Sequence, residues 1–271
     1  MWKMIRLVLC CGVPFVFDAH KYKKALKKKG GKDGYSIQER FDMVNKIVSN
    51  VNRHGFNCDF IIRGQENLPK GQVLFVGNHQ AAVDPVLFLM YSDRPTAFLA
   101  KKEIQKMPFV PDILSSMEGT FIDRTNLRSE VKVFKGINEI LQKHPDTSYF
   151  VFPEGTRSKG PDYEVAPFHG GSFKIATRNE LPICPVCVYL TARVMDQHYH
   201  YHRYPIQVTY LDPIYPEQYQ TMSTQELADM VRDRVKEELE KMKERDLELI
   251  MSLNSYSEEK ARKIQRYVKK K

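Results

Sequence analysis

Short apolar runs alternate with amphipathic helical patterns along most of this chain. The runs that predict strands are 58–63, 73–76, 97–100, 120–122, 149–152, 183–189 and 207–210. The patterns that predict helices are 37–53, 85–91, 129–143, 170–178 and a long charged segment that begins at Ser223. Chains that alternate strands and helices in this way bury the strands in a sheet between helical layers. The sequence therefore predicts an α/β fold with a mixed, largely parallel sheet covered by helices.

The most apolar stretch of the chain is residues 1–17. A helix that spans a bilayer needs about 20 apolar residues. This stretch is shorter and is interrupted by Arg6, Gly12 and Pro14. We therefore expect a helix that lies in the membrane interface, anchored by Trp2 and followed by a lysine cluster comprising Lys21, Lys23, Lys24, Lys27, Lys28 and Lys29.

The charge of the chain is concentrated at its two ends. Of a total net charge of +9, residues 1–40 carry +7 and residues 256–271 carry +5, which leaves −3 for the residues between them. A nucleic-acid-binding protein usually places its basic residues on the folded domain, so we expect no nucleic-acid partner. Basic ends favour an anionic membrane surface as a partner, and a solubilising tail explains residues 256–271 equally well.

These patterns predict the domain organisation of the chain and its cellular location. Residues 1–56 form N-terminal membrane-interface helices, and residues 57–271 form a domain that ends in the charged helix. Five cysteines at irregular spacings give no disulfide framework, which favours a reducing compartment. We therefore expect a peripheral or monotopic protein on the cytoplasmic side of a membrane.

The run 77–85 contains a histidine and an aspartate separated by four residues, His79 and Asp84. A histidine whose one ring nitrogen is held by a carboxylate can accept a proton from a hydroxyl at the other nitrogen. A structural interpretation is also open for the pair alone. Because Pro85 suits the first turn of a helix, Asp84 can be an ordinary N-cap and His79 a loop residue.

Two further runs follow other predicted strands, at 119–124 and 152–158. They supply Arg124 and Arg157, whose planar guanidinium groups suit a phosphate monoester. Gly155 allows backbone amides to approach an anion closely. Because ligands of α/β sheets bind where loops gather beyond strand ends, we expect the three runs to meet at one edge of the sheet.

The three runs resemble the sequence blocks of the glycerolipid acyltransferase family, the 1-acylglycerol-3-phosphate acyltransferases. The first block is an Asn-His pair followed by aspartate, matched by Asn78, His79 and Asp84. The second, Phe-Ile-x-Arg, is matched at 121–124, and the third, Phe-Pro-Glu-Gly-Thr-Arg-Ser, at every position of 152–158. A fourth block, a short apolar strand with proline, is matched at 181–186, and the resemblance covers residues 58–215.

The resemblance implies an enzyme that transfers a fatty acyl group from a thioester to the free hydroxyl of lysophosphatidic acid, giving phosphatidic acid. His79 is then the general base, Asp84 fixes and stabilises its imidazole, and no covalent acyl-enzyme forms. The thioester, acyl-CoA or acyl carrier protein, is a co-substrate, and no cofactor is expected. The alternatives are an acyltransferase for another lysophospholipid or for glycerol-3-phosphate, and a non-catalytic membrane lipid-binding protein.

The resemblance also implies which residues bind substrate: Lys101, Arg124, Glu154, Gly155, Thr156 and Arg157. Two roles are open for Glu154, which either binds the acceptor or holds Arg157 and Arg124 in place. Each of these features also has a structural interpretation. Lys101 can be merely solvated, Arg124 can pair with a neighbouring carboxylate, and Glu154-Gly155 can be a plain turn.

Some residues depart from the family pattern or suggest other chemistry. Ala81 stands where a serine is common, and His169 stands where a basic residue is usual, which leaves substrate choice open. Three histidines that alternate with tyrosines, His198, His200 and His202, would share one side of a strand. A polar surface near lipid headgroups explains them as well as a metal site does, and we predict no metal.

Overall fold

The computed structural model describes residues 34–106, 110–123, 127–158, 164–194 and 203–267. The predicted interface helix and lysine cluster, Arg124 and the alternating histidines therefore lie outside the described residues. The chain divides into two compact units. The first comprises Met1–Gly55, Lys70–Leu74 and Pro85–Val151, and the second comprises Phe56–Pro69, Phe75–Asp84 and Phe152–Lys271.

The described residues contain seven strands. They are β1 (Cys58–Arg63), β2 (Leu74–Gly77), β3 (Thr96–Lys101), β4 (Thr120–Ile122), β5 (Ser148–Val151), β6 (Ile183–Tyr189) and β7 (Tyr204–Tyr210). The α-helices described are α1 (Ile37–Val51), α2 (Asp84–Tyr91), α3 (Val110–Ser116), α4 (Leu127–Lys143), α5 (Lys174–Asn179), α6 (Pro216–Tyr219), α7 (Thr224–Asn254) and α8 (Glu258–Tyr267). Short 3₁₀ turns cover Gln65–Asn67, Lys102–Lys106, Gly170–Phe173 and Thr191–Val194, and a π-helical turn, Asn52–Phe56, follows α1.

In the first unit, three strands lie in the order β5-β3-β4, and all are parallel. An aromatic cluster of Phe88, Phe98 and Phe150 packs α2 against this sheet, with the rings of Phe88 and Phe150 centred 4.5 Å apart. The α1 helix is fixed to the end of α2, because the Asn45 amide donates to the carbonyl oxygens of Leu89 and Met90 at 2.9 and 3.1 Å. This unit is therefore an α/β layer with a parallel sheet.

In the second unit, four strands lie in the order β1-β7-β6-β2. The β1–β7 pair is parallel and the β6–β7 pair is antiparallel. With the first unit, this confirms the predicted α/β class with a mixed, largely parallel sheet. The β7 strand begins at Tyr204 rather than at residue 207, because Tyr204 and Pro205 already pair with Cys58 and Asp59 of β1.

The long helix α7 covers β6 and β7 and begins where the sequence predicts. The Ser223 hydroxyl accepts the amide of Glu226 at 3.2 Å, and the Glu226 carboxylate accepts the amide of Ser223 at 2.8 Å. This reciprocal pair satisfies two amides that a helix start leaves without partners. The predicted apolar stripe of α7 is buried: Leu227, Val231, Val235 and Leu239. Among the helices of the described ranges, none is both long and apolar enough to cross a bilayer.

Candidate active site

The loop after β2 is anchored on both sides of His79. The Asn78 side chain exchanges two hydrogen bonds with the backbone of Val188 in β6, both at 2.9 Å. The Gln80 side-chain oxygen accepts the amide of Leu190 at 2.6 Å. Both flanking side chains are buried, whereas the His79 side chain is 18% exposed. The anchors therefore fix a loop from which the His79 ring remains accessible.

His79 and Asp84 form the pair that the sequence predicts. The His79 Nδ1 atom lies 2.8 Å from Asp84 Oδ2. The same oxygen accepts the backbone amides of Gln80 at 2.8 Å and Ala81 at 2.9 Å. Because two amide donors hold Oδ2 as an acceptor, the hydrogen-bond network assigns the proton to Nδ1. The Nε2 atom of His79 then carries the free lone pair that a general base needs.

The placement of Asp84 differs from that of an ordinary N-cap. Asp84 is the first residue of α2, and its carboxylate accepts amides that precede it in the chain. An N-cap side chain instead accepts an amide from the second or third residue of the helix that it begins. Its side chain is only 3% exposed. The carboxylate is therefore directed at the His79 loop.

The run 152–158 begins with a turn that requires its glycine. The Gly155 amide donates to the carbonyl of Phe152 at 3.0 Å, and Gly155 has a φ of +66°. Residues other than glycine rarely adopt this left-handed conformation. The turn buries Glu154, which is 3% exposed, whereas Thr156 and Arg157 are exposed.

Three residues of this run contact His79. The Phe152 ring stacks on the imidazole with centroids 4.3 Å apart. Glu154 Oε1 accepts the backbone amide of His79 at 2.7 Å. The Ser158 amide donates to the carbonyl of His79 at 2.6 Å, and the Ser158 hydroxyl donates to the same oxygen at 3.0 Å. The first and third sequence blocks therefore meet at a single residue.

The electrostatics of Glu154 reflect its burial. Removal from water raises the pKa of the Glu154 carboxyl above its usual range, and the amides of His79 and Ala166 partly offset this by hydrogen bonding. Glu154 Oε2 accepts the Ala166 amide at 2.9 Å and the Ser158 hydroxyl at 3.3 Å. Both oxygens are therefore occupied within the protein.

The remaining predicted site residues are placed as follows. Thr156, Arg157 and Gly155 share the turn region beside His79 in the second unit. Lys101 is exposed at the last position of β3 in the first unit, and Arg124 lies outside the described residues. Within the described ranges, no group of three or more potential metal ligands is present.

The sequence blocks contain Ser158 and Asn78 but indicate no role for either residue. The structure shows that both hold the His79 loop, one through its carbonyl and the other through β6. Gln80 has a similar anchoring contact with Leu190. The feature of the sequence that could have indicated a role for Ser158 and Asn78 is their position within the matched blocks. His169, which departs from the family pattern, is exposed and donates its amide to the Pro153 carbonyl at 3.0 Å.

Comparison with known proteins gives the same assignment as these motifs. The family model described as Acyltransferase matches residues 59–189, which contain His79, Asp84 and the whole run 152–158. The 1-acyl-sn-glycerol-3-phosphate acyltransferase of Borreliella burgdorferi is 39% identical over 136 residues, covering 48% of this chain and 51% of that protein. Residues 59–189, just under half of this chain, are therefore similar to the acyltransferase family.

Other acyltransferases are similar to this chain over longer stretches. The Escherichia coli 1-acyl-sn-glycerol-3-phosphate acyltransferase is 32% identical over 58% of this chain and 63% of its own length. The matched segments thus span about half of the Borreliella protein and less than two thirds of the Escherichia protein. The crystal structure of the 1-acyl-sn-glycerophosphate acyltransferase PlsC from Thermotoga maritima superposes with a TM-score of 0.63 at 25% identity, covering 89% of this chain and 98% of that one.

Proposed function

We propose that this protein transfers a fatty acyl group from an acyl thioester to the free hydroxyl of lysophosphatidic acid, giving phosphatidic acid. One observation carries the proposal. A single buried carboxylate oxygen of Asp84 holds His79 Nδ1 at 2.8 Å while two backbone amides hold that oxygen. The names of the similar acyltransferases support lysophosphatidic acid as the acceptor.

The reaction follows from the proton positions. His79 Nε2 takes the proton of the acceptor hydroxyl as its oxygen bonds to the thioester carbonyl carbon. The tetrahedral intermediate then collapses, the carbon–sulfur bond breaks, and the thiolate takes the proton back from the imidazolium. Asp84, whose carboxylate is directed at Nδ1, stabilises the imidazolium between these steps. No covalent acyl-enzyme is required because the hydroxyl attacks directly.

The acceptor phosphate is proposed to contact the exposed side of the run 152–158. Thr156 and Arg157 are exposed, and Gly155 leaves the backbone of the turn open to an anion. A guanidinium group can bind two phosphate oxygens at once. We include Lys101 and Arg124 as further phosphate ligands on the strength of the family resemblance.

The donor and the cellular setting complete the proposal. Acyl-CoA or acyl carrier protein serves as the thioester co-substrate, and the reaction uses neither a metal nor a cofactor. The protein acts at an anionic membrane surface, as a peripheral or monotopic protein on the cytoplasmic side. The charge of the ends supports this, since residues 1–40 carry +7 and residues 256–271 carry +5.

The test is a panel of acceptors and donors. The purified full chain is incubated with lysophosphatidic acid, other lysophospholipids or glycerol-3-phosphate, each with acyl-CoA or acyl carrier protein, and thiol release is followed. We expect thiol release to be fastest with lysophosphatidic acid. We expect His79→Ala to lower turnover by about 10²–10⁴-fold and His54→Ala, a histidine of the first unit, to leave it unchanged.

The outcomes separate the alternatives. Turnover on a different acceptor would assign the chain to another branch of the family. Binding of lysophosphatidic acid without turnover on any acceptor would indicate a lipid-binding protein. Wild-type turnover in His79→Ala would refute the general-base role.

A further inference from the structure

The main-chain N–H and carbonyl of His79 both form hydrogen bonds with the run 152–158. Its N–H donates to Glu154 Oε1 at 2.7 Å, and its carbonyl accepts the Ser158 amide at 2.6 Å and the Ser158 hydroxyl at 3.0 Å. Glu154 and Ser158 therefore bind main-chain atoms of His79, whereas Asp84 binds its ring. Ring and backbone of the base are thus fixed by separate sets of contacts.

The two gripping side chains also support each other. Glu154 Oε2 accepts the Ser158 hydroxyl at 3.3 Å and the Ala166 amide at 2.9 Å. In the described part of the chain, the contacts of Glu154 are with amides and a hydroxyl rather than with an arginine. A buried carboxylate with both oxygens occupied has little capacity left for a substrate.

The run 152–158 contains both a buried and an exposed set of side chains, which suit different roles. Glu154 is 3% exposed, whereas Thr156 and Arg157 are exposed. If the run as a whole bound the acceptor, its acidic member would face an anionic phosphate. Burial of Glu154 under the His79 loop removes that conflict, and leaves Thr156 and Arg157 for the phosphate.

We propose that Glu154 and Ser158 are positioning residues that clamp the main chain of His79, and that neither binds the acceptor. The proposal rests on the proposed acyl transfer for its kinetic part only. A base must sit within hydrogen-bond reach of the proton that it abstracts, and a displacement of about 1 Å can cost roughly 10²-fold in rate. Loss of the clamp is therefore expected to lower kcat and to leave the acceptor KM nearly unchanged.

Two substitutions weaken the clamp by different amounts. Ser158→Ala removes the hydroxyl but keeps the Ser158 amide, so we expect kcat to fall by about tenfold, as for one lost hydrogen bond. Ser158→Thr keeps a hydroxyl and should restore most of the rate. Glu154→Gln offers one oxygen where two amides need acceptors, so we expect a fall of roughly 10²-fold. In both, we expect the acceptor KM to stay within about twofold, since the proposed phosphate contacts remain.

Matched controls lie on α7 in the second unit. Ser252→Ala removes an exposed hydroxyl that donates to the Leu249 carbonyl at 3.2 Å, and Glu238→Gln changes a buried glutamate that accepts hydrogen bonds from Thr209 and Arg245. Neither residue contacts the His79 loop in the described structure. We expect both to leave kcat within about twofold of wild type, with urea unfolding used to compare folded stability across all variants.

The deciding measurement is the ¹⁵N spectrum of the histidine rings in the full-length protein, with the His79 signals identified by their loss in His79→Ala. We expect Ser158→Ala and Glu154→Gln to shift or broaden the His79 signals, and the two controls to leave them in place. Unmoved His79 signals in both clamp variants overturn the proposal, whatever the kinetics show. A raised acceptor KM at unchanged kcat would likewise assign these residues to substrate binding.

The two proposals fail differently. If the wild-type protein transfers no acyl group to any acceptor, the proposed function is wrong, and the His79 signals alone decide whether the clamp exists. If transfer occurs and the signals do not move, only the clamp is wrong.

Discussion

At the scale of single residues, Asp84 Oδ2 is the most heavily used polar atom of the site. It accepts hydrogen bonds from the His79 ring nitrogen and from two backbone amides, with donor–acceptor distances of 2.8, 2.8 and 2.9 Å. The two amides fix the orientation of the Asp84 carboxylate independently of His79.

This arrangement predicts that Asp84→Asn and Asp84→Ala differ. The two amides require an acceptor at the Oδ2 position, so an asparagine should place its side-chain oxygen there. That oxygen can still accept a hydrogen bond from the Nδ1–H group of His79. Asparagine then preserves orientation and loses only the charge, whereas alanine loses both. We expect Asp84→Ala to lower kcat by about 10²–10⁴-fold, and Asp84→Asn to retain roughly tenfold more activity because a neutral hydrogen bond remains.

The measurement is kcat at saturating acceptor, with Asp229→Asn on α7 as the control for an exposed aspartate. Equal loss in Asp84→Asn and Asp84→Ala would show that the negative charge, rather than the orientation of the ring, supplies the effect.

The raised pKa of Glu154 predicts a pH-dependent stability. Because burial places the folded-state pKa above its usual value of 4.5, the folded protein binds the proton more tightly than the unfolded chain. This contribution is complete below pH 4.5 and is lost as the pH rises through the raised folded-state pKa. Each unit of difference between the two pKa values corresponds to about 1.4 kcal/mol. We therefore expect Glu154→Gln to gain stability relative to wild type as the pH rises from about 4 to about 7.

Urea unfolding of both proteins across this pH range tests the sign. The difference between their free energies of unfolding isolates Glu154 from the other groups that titrate. A difference that stays constant, or that moves against Gln with rising pH, would contradict the burial of an ionisable group at this position.

Individual residues were predictable where a motif requires one chemistry. The pairing of His79 with Asp84 was predictable because the three sequence blocks occur together, and the structure brings the two side chains to 2.8 Å of each other. The contacts of Glu154 and Ser158 with the backbone of His79 were not predictable, because they join atoms 75 and 79 positions apart. Main-chain hydrogen bonds between loops leave no periodic pattern in a sequence.

At the scale of elements, a buried ion pair joins α7 to the turn after β6. The Arg193 guanidinium binds the Asp246 carboxylate with two hydrogen bonds, one of 2.6 Å between Nη1 and Oδ1. Their side chains are 0% and 1% exposed. Two parallel bonds of this kind fix both position and angle, so the pair orients the turn Thr191–Val194 on the helix.

Removal of one partner leaves a buried charge without compensation. We expect Asp246→Ala to lower the free energy of unfolding by about 3–5 kcal/mol. The double variant Arg193→Met with Asp246→Leu should regain most of that loss, because no uncompensated charge remains. Asp233→Asn, an exposed aspartate of the same helix, is the control for urea unfolding. Failure of the double variant to recover would show that the shape of the pair, rather than its charge, is what the fold requires.

The elements that sequence predicted well are those with a strong pattern. Ser223 and Glu226 form a capping box and open the 31-residue helix α7. Short elements were missed for physical reasons. Pro111 argues against a helix, yet it lies in the first turn of α3, where a missing amide costs nothing. Helix α8 buries Ala261 but has little apolar character, so its sequence resembled a charged tail.

At the scale of the whole molecule, the positive charge of the sequence is concentrated at its two ends. Residues 1–40 carry +7 and include the only tryptophan, Trp2, whereas the chain between the two basic ends is net negative. Attraction of each basic residue to an anionic membrane is worth about 1 kcal/mol and is screened by salt. Amphipathic tryptophan favours the interface itself.

We expect deletion of residues 1–32 to release the protein from anionic vesicles and to leave the domain folded. Each lost lysine removes about 1 kcal/mol of attraction, so wild-type binding should be strong at low salt and weak at high salt. Activity on lysophosphatidic acid embedded in vesicles should fall much further than activity on a short-chain, soluble analogue. Vesicle flotation and thiol release measure the two effects.

Uncharged vesicles serve as the control, and both forms of the protein should float poorly with them. Flotation of the truncated protein with anionic vesicles at moderate salt, or an equal loss on both substrates, would show that the membrane contact lies elsewhere in the chain.

The grip on the peptide of residue 79 has a practical consequence for observing the reaction. Alanine has the same amide and carbonyl as histidine, so His79→Ala should retain every main-chain contact with Glu154 and Ser158. The variant is expected to react about 10²–10⁴-fold more slowly and yet to keep the shape of the loop and the exposed Thr156 and Arg157. Such a protein is suited to capture donor and acceptor side by side before they react.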